Sequence, residues 1–296
     1  MNNDANSSST SLDRRAVRRA FSNASEHYDA VAVLQKEVRE RLLERLALFK
    51  LQPSVVVDLG CGTAHGSSKL NALYPRAQTI ALDAAFGMLQ QARPTRWWLG
   101  RKAFQRVCAD ASQLPLKTAS VDLIFSNLML QWCDPPDAVF SEVRRVLKPD
   151  GVWVFSSFGP DTLRELRLAW QSVDAHTHVN QFIDMHDLGD AMMRAGLSEP
   201  VLDVERFTLT YPDAMSLMRE LKAIGAHNVT LHRQRSLTGK SALQRVIAYY
   251  EQYRQHETLP ASYEVVYGQA WGNQATSGRA QHNEVRISVE HVGRRR

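Results

Sequence analysis

The stretch Val55-Val56-Val57-Asp58-Leu59-Gly60-Cys61-Gly62-Thr63-Ala64 decides the fold. An apolar run ends in an acid and then breaks into two glycines one residue apart. A strand covered on both faces in a parallel sheet reads as such an unbroken apolar run. Glycine allows the tight turn that follows and brings the backbone close to a ligand. The stretch therefore reads as the first strand and ligand loop of a doubly wound α/β fold. Asp58, Gly60, Cys61 and Gly62 become candidates for holding a cofactor. The competing reading is a tight strand-to-helix turn with no ligand. A dinucleotide fingerprint would need its third glycine at position 65, which is His65; Gly66 falls one residue late.

Outward from this point, short strands and helices alternate. Strands are expected at 54–59, 79–83, 104–109, 121–126 and 151–157, with helices near 65–73, 85–92 and 136–147. Such alternation implies right-handed crossovers and a mostly parallel sheet with helices on both faces. Pro149-Asp150-Gly151 reads as a helix stop and turn before the fifth strand. Helices follow near 161–173 and 186–195, the latter closed by Gly196, and two further strands near 200–210 and 261–270 make seven. A helical insertion, 214–253, precedes the last strand. Upstream, residues 12–50 carry apolar positions at helical spacing, as in Val38, Leu42, Leu43 and Leu46. They read as two helices with a break near 24–29. Residues 1–11 are polar and read as a disordered leader, 51–272 as the main domain, and 273–296 as a polar tail in which 285–289 could add an edge strand.

Bulk composition narrows the classes. The 296 residues are 44% hydrophobic, enough for a full core, and no run is long enough to span a bilayer. The three cysteines form no CxxC and suggest a reducing, cytoplasmic setting. The ten histidines offer no metal motif, so no metal is expected. The net charge of +5 favours anionic partners, but no nucleic-acid-binding motif accompanies it.

Three further strand ends carry polar groups. Asp83 ends the second strand, where an acid accepts hydrogen bonds from ribose hydroxyls; the alternative is a helix N-cap. Asp110 ends the third, its carboxylate suited to an adenine amino group and Ala111 offering a backbone N–H; a turn-capping acid is the alternative. Asn127 ends the fourth and either lines the crevice or caps the next helix. Together with the glycines they point to a nucleoside-bearing ligand. Asp58–Thr63 resembles motif I of the class I methyltransferases, which use S-adenosylmethionine. A nicotinamide dehydrogenase is the rival at the level of fold.

The distal segments carry a narrower resemblance. Arg19-Ala20-Phe21-Ser22 with His27-Tyr28-Asp29, Leu130-Gln131-Trp132-Cys133, Phe158-Gly159-Pro160-Asp161-Thr162-Leu163 and Leu221-Lys222-Ala223-Ile224-Gly225-Ala226 are similar to segments of the malonyl-acyl-carrier-protein O-methyltransferase family of early biotin synthesis. The resemblance runs from about residue 12 to 271. It implies a Rossmann-like class I methyltransferase fold and methyl transfer from S-adenosylmethionine to the carboxylate of a malonyl thioester, borne by an acidic carrier protein or by coenzyme A. It makes the N-terminal helices a lid, with Tyr28 the residue that closes over the methyl group; a core tyrosine stapling the lid to the sheet is the alternative. The malonyl carboxylate needs a cation or donors, sought among Lys222, His227, Asn228, Arg233 and Arg235. Arg14, Arg15, Arg18 and Arg19 could steer an acidic carrier, or merely form a solvated helix face. Phe158–Leu163 and Leu259-Pro260-Ala261-Ser262-Tyr263 also resemble a related respiratory-complex assembly factor that hydroxylates arginine. A non-catalytic module that binds S-adenosylmethionine is the reading from another class. Oligomeric state is not legible.

Overall fold

The computed structural model describes residues 12–93, 103–226, 228–230 and 239–272. Seven strands form one sheet: β1 (Val55–Leu59), β2 (Gln78–Asp83), β3 (Gln105–Cys108), β4 (Val121–Ser126), β5 (Leu147–Phe158), β6 (Ser198–Tyr211) and β7 (Leu259–Trp271). Their order is β3-β2-β1-β4-β5-β7-β6. β1 runs parallel to β2 and β4, whereas β7 runs antiparallel to β5 and β6. Strand order therefore reverses between β1 and β4. In an open α/β sheet the crevice beyond the carboxyl ends at this reversal is where ligands bind.

Successive strand residues point to opposite faces, and both faces are covered. Val56, Leu123, Phe125, Val152 and Val154 pack in one core with Leu34, Val38, Leu42 and Leu46 of helix α3 (Val33–Leu46). Val57, Leu59, Ile124, Trp153 and Phe155 pack in the other with helices α6 (Pro136–Val146) and α8 (Met185–Arg194). This two-sided burial is why Val55-Val56-Val57 and Leu123-Ile124-Phe125 are apolar without alternation.

Three features differ from expectation. Pro149-Asp150-Gly151 is not a turn ahead of β5 but lies within it: Val121 pairs with Leu147 and Leu123 with Val152, so the intervening residues bulge outward. The segment before the sheet holds three helices, α1 (Arg14–Ala24), the four-residue α2 (Tyr28–Val31) and α3. The helix expected at 161–173 is α7 (Arg164–Gln171), delayed because Thr162 Oγ1 donates to the Glu264 carbonyl and holds its segment to β7. The insertion contains α9 (Ala214–Ala223) and α10 (Lys240–Tyr250). His227, Arg233 and Arg235, like the edge strand proposed at 285–289, lie outside the described residues.

Of the N-terminal helices, α3 packs on a face of the sheet, while α1 borders the strand-end cavity through Arg14, Val17, Arg18 and Phe21. Asp13 caps α1, its side chain accepting from the Arg15 and Ala16 amides, and the Asp13 N–H donates to the Val229 carbonyl of the insertion. Leu12 also bridges to Thr230. Two glycines admit α1: a Cβ at Gly87, just inside helix α5 (Phe86–Gln91), would meet the Ser22 backbone at 2.6 Å, and one at Gly225 the Ala20 backbone at 3.2 Å. No helix among the described residues is long and apolar enough to cross a membrane.

Candidate functional site

The turn after β1 builds the floor of the site. Gly60 and Cys61 donate their N–H groups to the Leu82 carbonyl, locking the turn to β2. Gly60 sits at φ +76° with Met129 so close that a Cβ would overlap it; only glycine meets both demands. Gly66 lies inside helix α4 (His65–Leu73), where a Cβ would approach Asp58 Oδ2 at 2.9 Å. The late glycine thus brings the helix against the strand-end acid. Asp58 accepts from Ser67 Oγ at 2.6 Å. Burial pushes the Asp58 carboxyl up to about 7; the Ser67 bond opposes the rise and the Asp83 charge adds to it.

Asp83 accepts from the Gly62 N–H at 2.9 Å and the Ala85 N–H at 2.7 Å. It does not cap α5, whose N-cap is Ala85 with no side-chain cap bond; it orders its own turn while its carboxylate lines a cavity. Burial raises its pKa against those backbone bonds. That cavity, about 130 Å³, is bounded also by Gly60, Gly62, Ala85, Asp110, Ala111, Asn127 and Met129. Asp110 Oδ1 accepts from both the N–H and the hydroxyl of Ser112, which makes it a turn-capping acid as well as a wall of the cavity. Burial would raise its pKa, but the Ser112 bonds and the Arg14 and Arg18 charges outweigh that and hold it low. The Asn127 amide caps no helix. It donates to the Gln35 carbonyl of α3 at 3.0 Å and accepts from Ser156 Oγ at 2.9 Å, tying the N-terminal segment to the strand ends.

Two more cavities open from the first. One, about 370 Å³, contains Asp58, Cys61, Arg39, Lys36 and Thr63 and shares Tyr28, Gly60, Gly62 and Asn127 with the first cavity. Carboxylate and guanidinium stand there together, the combination that suits an amino-acid tail. Cys61 is buried, and burial holds its thiol well above the ordinary range. The other cavity, about 910 Å³, lies between α1, α7 and α9 and shares Phe21, Tyr28, Leu128 and Trp132 with the first cavity. Phe21 and Trp132 meet edge to face, centroids 5.1 Å apart.

Tyr28 borders all three cavities. Burial, then the Asp83 and Asp29 charges, pushes its phenol far above the ordinary range, so it stays protonated. Sequence reasoning missed Phe21, Trp132 and Arg14 as parts of the site. Trp132 lies in the segment that carried the family resemblance, which was the available signal. Arg14 donates to the Asp134 carbonyl at 2.9 and 2.6 Å and to Ser112 Oγ at 3.1 Å, which removes it from the set of free steering charges. Lys222 lines the large cavity from an exposed position, and Asn228 lines it too, its side chain donating to the Thr177 carbonyl.

The site as built fits a nucleoside joined to an amino acid. It offers an oriented acid at the second strand end, backbone close to the ligand at glycine, and a buried acid beside an arginine for the tail. Among the described residues no cluster of three His, Cys, Asp or Glu could hold a metal.

A family model described as a methyltransferase domain matches residues 57–155. The malonyl-[acyl-carrier protein] O-methyltransferase of Methylovorus sp. is 53% identical over 89% of this chain and 90% of its own. Its namesake from Gallionella capsiferriformans is 50% identical over 88% and 91%. The one from Halorhodospira halophila is 47% identical over 97% of each chain. Among solved structures, a putative methyltransferase from Bacillus halodurans aligns with a TM-score of 0.54 at 17% identity, covering 79% of this chain and 97% of that one. At that identity the likeness shows the fold.

Proposed function

The chain belongs to the malonyl-[acyl-carrier protein] O-methyltransferase family, and we propose that its joined cavities carry out methyl transfer from S-adenosylmethionine to the free carboxylate of a malonyl thioester on an acyl carrier. The product is a methyl ester that enters fatty-acid-type extension toward biotin. The curated relatives bear the name of this reading and not that of the arginine-hydroxylating factor.

When bound, S-adenosylmethionine supplies an electrophilic methyl group on a sulfonium. Asp83 takes the ribose hydroxyls, and Asp110 with the Ala111 N–H takes the adenine edge. Asp58 and Arg39 take the ammonium and carboxylate of the methionine tail. The observation that carries the reading is the shared wall of Phe21, Tyr28, Leu128 and Trp132. A methyl group must pass there from a nucleoside site to a roomy apolar acceptor site. Aromatic faces at that wall favour a sulfonium by cation–π attraction, on the order of 0.5–2 kcal/mol each.

The acceptor needs no base. A malonyl carboxylate, with an ordinary pKa of about 4, is already the nucleophile. Its oxygen bonds to the methyl carbon as the carbon–sulfur bond breaks. The chain's work is alignment, worth at most about 7–11 kcal/mol, and the exclusion of water by α1–α3 acting as a lid. A neutral Tyr28 suits this role, since it packs and donates a hydrogen bond without competing for the methyl. Lys222 and Arg219 are cations that border the acceptor side from exposed positions and are available to a substrate anion. The free thiols of Cys61, Cys108 and Cys133 fit a reducing cytoplasm.

Incubation with methyl-labelled S-adenosylmethionine and malonyl-carrier protein tests this. Base-labile label on the acyl group is expected. Cofactor binding with an unlabelled acyl group would leave a non-catalytic binding module.

A further inference from the structure

Tyr28 stands where all three cavities meet, yet the helix that carries it has little of its own to hold it. α2 is four residues long, and its N-cap His27 makes no side-chain bond. Asp29 and Ala30 are exposed, and no residue of the helix is fully buried. A single helical turn does not persist in water without outside contacts. Those contacts must come from elsewhere in the fold.

Asp29, the residue after Tyr28, supplies two. Its Oδ1 accepts from the Thr63 hydroxyl at 2.7 Å, and its Oδ2 lies 3.1 Å from His65 Nε2. Thr63 belongs to the turn after β1, and His65 opens α4. Between them Ala64 holds φ +65°, a region costly for a residue with a Cβ. This strained turn is held from two sides: Asp83 accepts from the Gly62 N–H, and Asp29 from the Thr63 hydroxyl. Tyr28, Asp29, Thr63 and His65 all border the cavity of about 370 Å³ that contains Asp58 and Arg39. The bridge from α2 to the turn therefore lies at the edge of the space assigned to the methionine tail.

Its strength suits a part that must let go. The Asp29 and His65 side chains are 51% and 56% exposed, and exposed ion pairs contribute little. The hydroxyl-to-carboxylate bond is the stronger half, because one partner is charged. Together they hold α2 down during methyl transfer and still release it in each turnover.

We infer that Asp29 is a positioning residue. Through Thr63 and His65 it latches α2 to the cofactor turn and sets Tyr28 over the methyl group, and the opening of this latch gates cofactor exchange. The inference rests on the methyl-transfer reading and deepens it.

The test reads cofactor release and chemistry separately. Stopped-flow displacement gives the dissociation rate of S-adenosylhomocysteine, which needs no acceptor. Single-turnover methyl transfer to malonyl-pantetheine, a thioester without its carrier, gives the chemical rate. Asp29→Ala and Thr63→Val are each expected to speed release and slow transfer by roughly three- to tenfold, the effect of one part-exposed hydrogen bond. Thr63→Ser keeps the hydroxyl and stays near wild type. The double variant Asp29→Ala/Thr63→Val does little more than Asp29→Ala, since both changes break the same bond. In a Tyr28→Ala background Asp29→Ala still speeds release but slows transfer no further, because its effect on chemistry passes through Tyr28. An unchanged release rate in both single variants overturns the latch, and so do effects that multiply in the double variant. A transfer loss from Asp29→Ala that is equally large without the Tyr28 ring overturns the positioning role. Wild-type protein that binds S-adenosylhomocysteine but methylates no malonyl thioester would instead strike at the underlying reaction, and the release rates would still decide the latch.

Discussion

At the scale of single residues, burial favours the neutral form of two acids, with different consequences. Tyr28 is kept neutral by it, with Asp83 and Asp29 reinforcing the effect. If its ring, and not its hydroxyl, serves the sulfonium, Tyr28→Phe retains most of kcat while Tyr28→Ala lowers it about tenfold or more at saturating cofactor, within the cation–π range. Steady-state rates of the two variants decide this; equal losses would make the hydroxyl the working part. Asp58 is raised by burial from 3.8 to about 7. Below the lower value both folded and unfolded chains hold the proton. Between the two values the unfolded chain alone has released it, so the stability this group contributes is lost as pH rises toward 7. The loss is at most about 4 kcal/mol. Urea unfolding of the free protein at pH 5 and pH 8 reads it, and Asp58→Asn flattens that slope. An ammonium beside Asp58 favours its charged form, so cofactor binding strengthens over the same window and releases a proton.

At the scale of elements, the parallel half of the sheet was legible because β1, β2 and β4 are short, largely apolar runs that end in a turn or a polar residue, whereas β3 (Gln105–Cys108) is largely polar and exposed. Asp58, Asp83, Asp110 and Asn127 stood at strand ends, where the reversal of strand order gathers them. What was not legible depends on distant partners. The bulge at Pro149–Gly151 exists because Val121 pairs with Leu147, and α2 is too short for periodicity to reveal. Trp132 gains meaning only when α1 lays Phe21 against it. Arg14 is the clearest case, since the four arginines of α1 read as a steering cluster or a solvated face until Asp134 and Ser112 appear beneath Arg14. Those bonds fasten α1 across the nucleoside cavity next to Asp110. Arg14→Ala is therefore expected to speed cofactor release about tenfold, as charge-assisted bonds to a partly buried arginine are lost. Arg14→Lys keeps the charge but not the fork, and falls between. Stopped-flow displacement by S-adenosylhomocysteine measures both.

At the scale of the whole molecule, the positive balance of five charges is unevenly committed. Arg41 and Arg45 of α3 are taken up by Glu205 and Asp203 of β6, and Arg145 of α6 by Glu142. Arg15, Arg18 and Arg19 remain exposed on α1, whose other side borders the acceptor cavity through Ala20 and Phe21. An acidic carrier approaching that cavity would meet these exposed charges at its border. Such exposed charges act over about one Debye length, about 10 Å at 0.1 M salt, and govern encounter more than the final contact. Arg15→Glu/Arg19→Glu is therefore expected to lower kcat/KM for malonyl-carrier protein several-fold at low salt, with the deficit closing as salt rises. The carrier-free malonyl-pantetheine should be nearly indifferent to both the substitution and the salt, because it presents no acidic surface to steer. Rates for the two substrates across a salt series separate the cases. A loss shared by both would mean that the substitution disturbs the lid itself, and a carrier rate flat in salt would leave these arginines as a solvated face.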